Sequence, residues 1–224
     1  LIVIDPCIYV YSFDSDEIMS RLELFGRVCY KSENKITNDS ARRFISRLIA
    51  YGHESVLEHA SISVKFIIDR GVSHELVRHR VGSYSQESTR YVNYGHVGEI
   101  YFIRPFFFES HDDAYRLWEK EMRNAEATYM NLLELGVTPQ EARSVLPSST
   151  KTEIVATYNL REWRHFFKLR AQKTAHPQMQ QVAIPLLLYF QDKLPQIFGD
   201  ISYNSDFESK YYAKIIEVKE GIYK

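Results

Sequence analysis

The chain has 224 residues, 45% hydrophobic and 25% charged, with 28 Lys and Arg against 29 Asp and Glu for a formal net charge of −1. That length and mixture suit an ordinary globular fold with one substantial core, and no apolar run approaches the ~20 residues that a membrane-spanning helix needs. The near-zero charge excludes a general attraction for nucleic acid, so any polyanion site is local and favours a small phosphorylated ligand.

In chain order, residues 1–12 read as one strand interrupted by Pro6. A helix is predicted from about Ser15, with Ile18, Met19, Leu22, Phe25, Val28 and Cys29 on one apolar stripe, and residues 31–37 form a polar loop. Cys7 and Cys29 lack Cys-x-x-Cys spacing and a neighbouring histidine, so neither a zinc site nor a disulfide framework is indicated and a reducing cytoplasm fits. A second helix follows an Asp39 or Ser40 cap, carries Ala41, Phe44, Ile45, Leu48 and Ile49 at helical spacing, and stops at Gly52. Directly after it, His53, Glu54, Glu58 and His59 stand close together. Such residues suit zinc or iron, and they equally suit the capping of a helix end.

Residues 61–69 alternate Ile62, Val64, Phe66 and Ile68 with polar or small neighbours, the period of a half-buried strand. Ser73 is expected to cap a short helix over residues 73–80 whose last turn carries the cations, the favourable end for positive charge. Glu75 shares a helix face with Arg78 and His79, so a structural ion pair accounts for part of that pattern. The run from Arg78 to Tyr91 holds three arginines, one histidine and three serines with almost nothing apolar. Charged runs are usually solvated faces. Arginine forks joined by serine hydroxyls are also how a nucleotide phosphate is held.

Beyond Arg90, residues 93–96 read as a turn and residues 99–108 as an aromatic strand broken at Pro105. A long helix is predicted from a Ser110 cap to Gly136, with Tyr115, Trp118, Met122, Ala125, Tyr129, Leu132 and Leu133 as a seam for another helix or another subunit. Thr138 to Glu141 is a capping box opening a short helix to Leu146, from which Arg143 projects. Residues 150–158 alternate as a strand, and Asn159 to Glu162 is a second capping box opening a helix through Arg170. Pro177 starts the last large helix, bent by Pro185, with Met179, Val182, Ala183, Leu186, Leu187 and Phe190 apolar. The tail from Ser202 offers one more helix over residues 209–218. No repeat, low-complexity tract or linker interrupts the chain, so residues 1–224 read as a single domain. Periodicity alone supports an α+β class in which helix dominates.

Arg78-His79-Arg80, then seven residues, then Ser88 and Arg90, resembles the signature of flavin-dependent thymidylate synthases. The resemblance extends over roughly residues 15–200 through Gly52-His53-Glu54-Ser55 with Glu58-His59, through Ala142-Arg143 and Leu146-Pro147, where Ser144 departs slightly, and through Leu169-Arg170-Ala171. It implies an α+β fold with a twisted, mostly antiparallel sheet flanked by helices, assembled as a homotetramer with shared active sites. The implied reaction is reductive methylation of dUMP to dTMP, with 5,10-methylenetetrahydrofolate as carbon donor, FAD reduced by NADPH as hydride source, and tetrahydrofolate as product. Neither nucleic acid nor membrane is an expected partner, and no metal is expected. By the same resemblance Ser88, Arg90 and Arg143 hold the dUMP phosphate, with Glu75, Arg78, Gln86 and Glu87 lining the nucleotide. Arg170 is the catalytic charge beside the uracil. FAD falls to Ser55, Glu58, Arg78, His79, Arg80, Gln86, Asn159, Arg161 and His165, and the folate to His53 and Tyr91.

Two positions depart from the family pattern. His165 stands where asparagine is common, and Glu75 where some relatives have glutamine. A carboxylate cannot donate to a uracil oxygen unless it is protonated or paired elsewhere. The motif holds no cysteine for a thiol adduct at uracil C6, and Ser88 as nucleophile with His79 as base is the weaker alternative. Two rival readings remain at this level: a nucleotide or RNA binder stacking bases on Tyr84, Tyr91 and Tyr94, and a metal hydrolase built on His53, Glu54, His59, His74 and His79.

Overall fold

The computed structural model describes residues 1–219. The chain opens with β1 (Ile2–Ile4), β2 (Cys7–Tyr11), α1 (Ser15–Val28) and α2 (Ser40–Ala50). A 3-10 segment over Glu54–His59 leads to β3 (Ser61–Asp69), α3 (Arg70–Leu76), β4 (Gly82–Gln86), α4 (Tyr94–Val97) and β5 (Tyr101–Ile103). There follow α5 (Asp112–Glu134), α6 (Pro139–Ala142), β6 (Lys151–Asn159), α7 (Leu160–Arg170), α8 (Pro177–Lys193), α9 (Pro195–Phe198) and β7 (Lys214–Val218).

The main sheet has the order β4-β6-β3-β2-β7. It is mixed rather than mostly antiparallel in kind, because β7 runs parallel to β2 and a separate parallel pair joins β1 to β5. The expected single N-terminal strand is therefore two, divided at Asp5 and Pro6 between two sheets, since proline has no N–H to continue a ladder. At the centre β3 and β6 pair along nine residues each, Ser61 opposite Asn159 and Asp69 opposite Lys151. Ile62, Val64, Phe66 and Ile68 face the same side as Ile154, Ala156 and Tyr158, all essentially buried. This apolar side packs on Ile18, Met19 and Leu22 of α1, Ile45 and Leu48 of α2, and the aromatic face of α7. The other side carries Ser63 bonded to Thr157 and Lys65 bonded to Glu153, so the alternation in the sequence separates core from polar surface. A smaller cluster joins Ile100 and Phe102 to Met122 and Tyr129 of α5.

Four local expectations change. The helix after β3 starts at Arg70, not Ser73, because Asp69 accepts from Val72 N at 2.7 Å. Ser73 sits inside it with its hydroxyl donating to the Arg70 carbonyl, and the helix ends before the cations. Residues 82–86 form an edge strand that their polar composition hides. The Ser110 cap moves to His111, which makes no side-chain cap bond, while Gly136 adopts φ +83 just beyond α5. The predicted tail helix is a 3-10 turn at Ser209–Tyr211 followed by strand β7, whose Ile215, Ile216 and Val218 are β-branched. This tail is tied to α8. Pro185 offers no N–H to the carbonyl of Gln181, and Ala213 N donates to that carbonyl instead, at 2.9 Å.

Gly82 lies opposite Tyr158, and a Cβ there would run into the tyrosine ring. We expect Gly82→Ala to cost about 1–3 kcal/mol, as overpacking does, while Ser83→Ala on the exposed edge stays within about 0.5 kcal/mol. Urea midpoints at unchanged m-value are the measurement.

Candidate active site

The strand–helix junctions place the site. Asp69 caps α3 and Asn159 caps α7, accepting from Glu162 N at 2.8 Å. The second capping box is only half formed, however. The Glu162 carboxylate turns away from Asn159 and accepts from His79 Nδ1 at 2.9 Å. His79 is 3% exposed and is not one of the outward cations of the motif. Arg170, at the end of α7, donates from Nε to His79 Nε2 at 3.2 Å, from Nη1 to the Glu75 carboxylate at 2.8 Å, and from Nη2 to the Glu75 carbonyl at 3.1 Å. Glu75 is thus paired by Arg170, which answers how a carboxylate is accommodated at that position. Burial, joined by the Arg170 charge, pushes the His79 pKa below its ordinary value against the pull of Glu162, so the ring is neutral.

Gln86 extends this group, its amide donating to Ser73 Oγ at 2.9 Å and Thr152 Oγ1 at 3.2 Å. Arg78 and Arg80 are exposed, and among the described residues neither has a side-chain hydrogen bond or ion pair. Past β4, Glu87 is fixed by Tyr94 OH at 2.9 Å and Lys151 Nζ at 3.0 Å. Ser88 Oγ accepts from Arg90 N at 3.3 Å, Arg90 Nε donates to Gln140 at 3.1 Å, and Arg143 reaches Thr89 Oγ1 at 3.5 Å. Ser88, Arg90 and Arg143 therefore gather where the turn after β4 meets α6. Tyr91 is 78% exposed beside Arg90, whose guanidinium lies over its ring.

The remaining candidates form another group. Arg161 pairs with Glu58 at 2.6 Å, Ser55 is exposed in the same 3-10 segment, and His53 Nδ1 is hydrogen-bonded with Tyr30 OH at 3.1 Å. His165 is exposed one turn beyond Arg161, its ring centroid 5.5 Å from that of His79. This group adjoins the Asn159 end of β6, whereas Glu87 bonds to Glu153. Six residues of strand, roughly 20 Å at 3.3 Å each, separate the two levels. One chain does not bring the Ser88–Arg90–Arg143 group and the Ser55–Glu58–Arg161 group together.

Two rival readings lose their geometry. The one group of metal-capable side chains among the described residues is His79, Glu162 and His165, which contains none of His53, Glu54, His59 or His74. Both nitrogens of His79 are engaged there, and the Arg170 cation beside them repels a metal ion. Glu54 instead holds Arg164, a 2% exposed guanidinium also paired with Asp200 at 2.6 Å. As for a base-stacking platform, Tyr94 is buried and Tyr84 is half-buried, its hydroxyl bonded to Tyr158 and to the carbonyls of Leu76 and His79. Sequence reasoning missed Glu162, Arg164 and Lys151 as site supports. Glu162 was visible only as a capping residue, and nothing local signals that its side chain crosses to His79.

The neutral state of His79 has a stability signature. Between its lowered folded pKa and the ordinary 6.5, the unfolded chain binds a proton that the folded chain does not. Its contribution is therefore full above that range and falls as the pH drops through it. We expect thermal midpoints to fall as the pH drops through 6.5 and below, and His79→Gln to flatten that slope relative to the unaltered chain.

The family model described as thymidylate synthase complementing protein matches residues 14–196. A flavin-dependent thymidylate synthase of Mycobacteroides abscessus is 37% identical over 211 residues, covering 85% of this chain and 82% of that one. Those of Pyrococcus abyssi and Geobacter sulfurreducens are 38% and 35% identical, covering 70% and 79% of this chain and 65% and 79% of theirs. Among solved structures, the UMP/dUMP methylase PolB from Streptomyces cacaoi, bound with 5-Br dUMP, superposes with a TM-score of 0.74 at 23% identity, covering 89% of this chain and 96% of that one. That likeness speaks for the fold. The family model and the relatives settle the membership: this chain belongs to the flavin-dependent thymidylate synthases.

Proposed function

We propose that residues 1–224 act as one domain that methylates dUMP to dTMP reductively. In this reading 5,10-methylenetetrahydrofolate gives the carbon, FAD reduced by NADPH gives the hydride, tetrahydrofolate leaves, and the enzyme works as a cytoplasmic homotetramer. The observation that carries the reading is the guanidinium of Arg170. Of its five N–H donors three are fixed on His79 and Glu75, which leaves one on each terminal nitrogen for a planar acceptor. A uracil carbonyl is such an acceptor, and the Streptomyces methylase was solved with a dUMP analogue.

Ser88, Arg90 and Arg143 hold the phosphate, a doubly charged group that suits two forks and a hydroxyl. Gln86, Glu87 and Arg78 orient the nucleotide between that grip and Arg170. As negative charge builds on the ring, the fixed guanidinium stabilises it without having to reorganise. The exposed Arg78 and Arg80, unpaired among the described residues, fit the diphosphate of FAD, with Gln86, Ser55, Glu58, Asn159, Arg161 and His165 as further lining. When bound, the flavin supplies a hydride, chemistry that no side chain of this motif offers. His53 and Tyr91 border the folate. Because the phosphate grip and the Arg161 group stand roughly 20 Å apart along β6, sharing of sites between subunits follows naturally from this reading.

The first test is direct: the purified protein is expected to be yellow, to contain FAD, and to form dTMP from dUMP when supplied with methylenetetrahydrofolate and NADPH. A colourless protein that cannot be reconstituted with FAD overturns the proposal. A second test separates two arginines. Arg170→Ala is expected to slow single-turnover flavin oxidation at saturating dUMP by about a hundredfold, the scale of losing one oxyanion-type donor. Arg90→Ala should instead weaken dUMP binding and spare the saturated rate, because its contact is the same before and during reaction.

A further inference from the structure

Glu162, His79, Arg170 and Glu75 form an unbroken chain of hydrogen bonds from the first turn of α7 to α3. We propose that Glu162 is a positioning residue for the reaction: it holds His79 in the tautomer that fixes the Arg170 guanidinium for the uracil. This rests on the thymidylate synthase reading above and adds a residue that the motif resemblance does not include.

Arginine does not lose its proton in proteins, so Arg170 Nε at 3.2 Å is a donor and His79 Nε2 must be an acceptor. A neutral imidazole has one N–H, which therefore sits on Nδ1. An ionised carboxylate only accepts, so Glu162 at 2.9 Å supports that tautomer and no other. The ring is packed against Phe166 at 5.1 Å and Tyr158 at 6.1 Å between centroids, which keeps it aimed at its two partners. Without Glu162 the proton on Nδ1 has no acceptor, and only the longer 3.2 Å contact with Arg170 Nε still favours that tautomer. The opposite tautomer would point an N–H at the N–H of Arg170, and the guanidinium, left with Glu75 alone, would be free to swing. Glu162 itself touches neither substrate nor flavin in this scheme. Its side chain is nearly buried and spent on His79.

The test combines 15N-histidine spectra with single-turnover flavin oxidation at saturating dUMP, on the FAD-loaded enzyme. The unaltered enzyme should show His79 protonated at Nδ1 alone. In Glu162→Ala that signal should move toward the Nε2–H form, and the saturated rate should fall about tenfold while dUMP affinity and FAD content stay within about twofold, the pattern of a lost outer support. Glu162→Gln keeps a carbonyl acceptor for Nδ1–H and should recover most of the rate. The proposal is overturned by an unaltered enzyme with His79 protonated at Nε2, an outcome readable even if the alanine variant fails to fold. It is equally overturned by a Glu162→Ala enzyme with a normal saturated rate, by one slowed with an unchanged tautomer, or by a glutamine variant as slow as the alanine one. An unaltered enzyme that does not convert dUMP at all would sink the functional reading, while the spectra would still report on the tautomer.

Discussion

The long antiparallel pairing of β3 with β6 is the constraint on which the rest depends. Each strand runs without a loop into a helix, capped by its own last residue, Asp69 or Asn159. Because the strands are antiparallel, α3 and α7 start from opposite ends of the same ladder. Their far ends meet on the core side, and the meeting point is Glu75 with Arg170. A slip of one residue in that register would pair Phe66 with Glu153 or Val155 and set the apolar face of one strand against the polar face of the other, so the hydrophobic pattern that holds the core also sets the site.

Around this frame the charges divide into two classes. Arg164, held by Glu54 and Asp200, fixes the 3-10 segment carrying Ser55 and Glu58 against α7 and the chain after α9. Lys151 likewise holds Glu87 and Glu153. Burying a guanidinium is tolerable only when its donors are satisfied, and removing one partner of such a pair is strongly destabilising. Glu54 belongs to the segment that reads from sequence as a metal or flavin site, yet its carboxylate is committed to the fold. The neighbours Ser55, Glu58 and His53 remain at the surface.

Sequence alone made most of the fold legible where the signal is local: the α2 stripe, the alternation of β3 and β6, the Thr138 capping box and the proline start of α8 stand as read, while the α1 stripe holds only through Ile18, Met19 and Leu22, with Phe25, Val28 and Cys29 exposed. What escaped is what distant partners decide. β4 is a strand because β6 offers it a ladder, not because Ser83 or Ser85 prefers one. β7 forms because β2 has a free edge and Gln181 a free carbonyl. Asp69 outcompetes Ser73 as a cap since the strand delivers it with extended backbone at the right place. For the site, candidate residues could be named from the sequence, whereas their grouping could not. The separation of the Ser88 and Arg161 groups is a property of strand register, which spacing along the sequence does not encode.

The Arg78-His79-Arg80 triplet shows why a motif reads as one unit although its members do different work. Past the end of α3 the chain is no longer helical, and consecutive side chains leave it in different directions. His79 goes inward, to a place where burial and the neighbouring Arg170 keep it neutral and where it is useful as an acceptor. Arg78 and Arg80 go outward, and among the described residues nothing neutralises them. The fold leaves those two positive charges available to an anion while satisfying the guanidinium it keeps beside the core. A third outward cation at position 79 would add attraction for phosphate, but it would deprive Arg170 of its acceptor. In the proposed reading the alternation of a neutral ring between two cations answers two demands, an anion to be held outside and a guanidinium to be held still within.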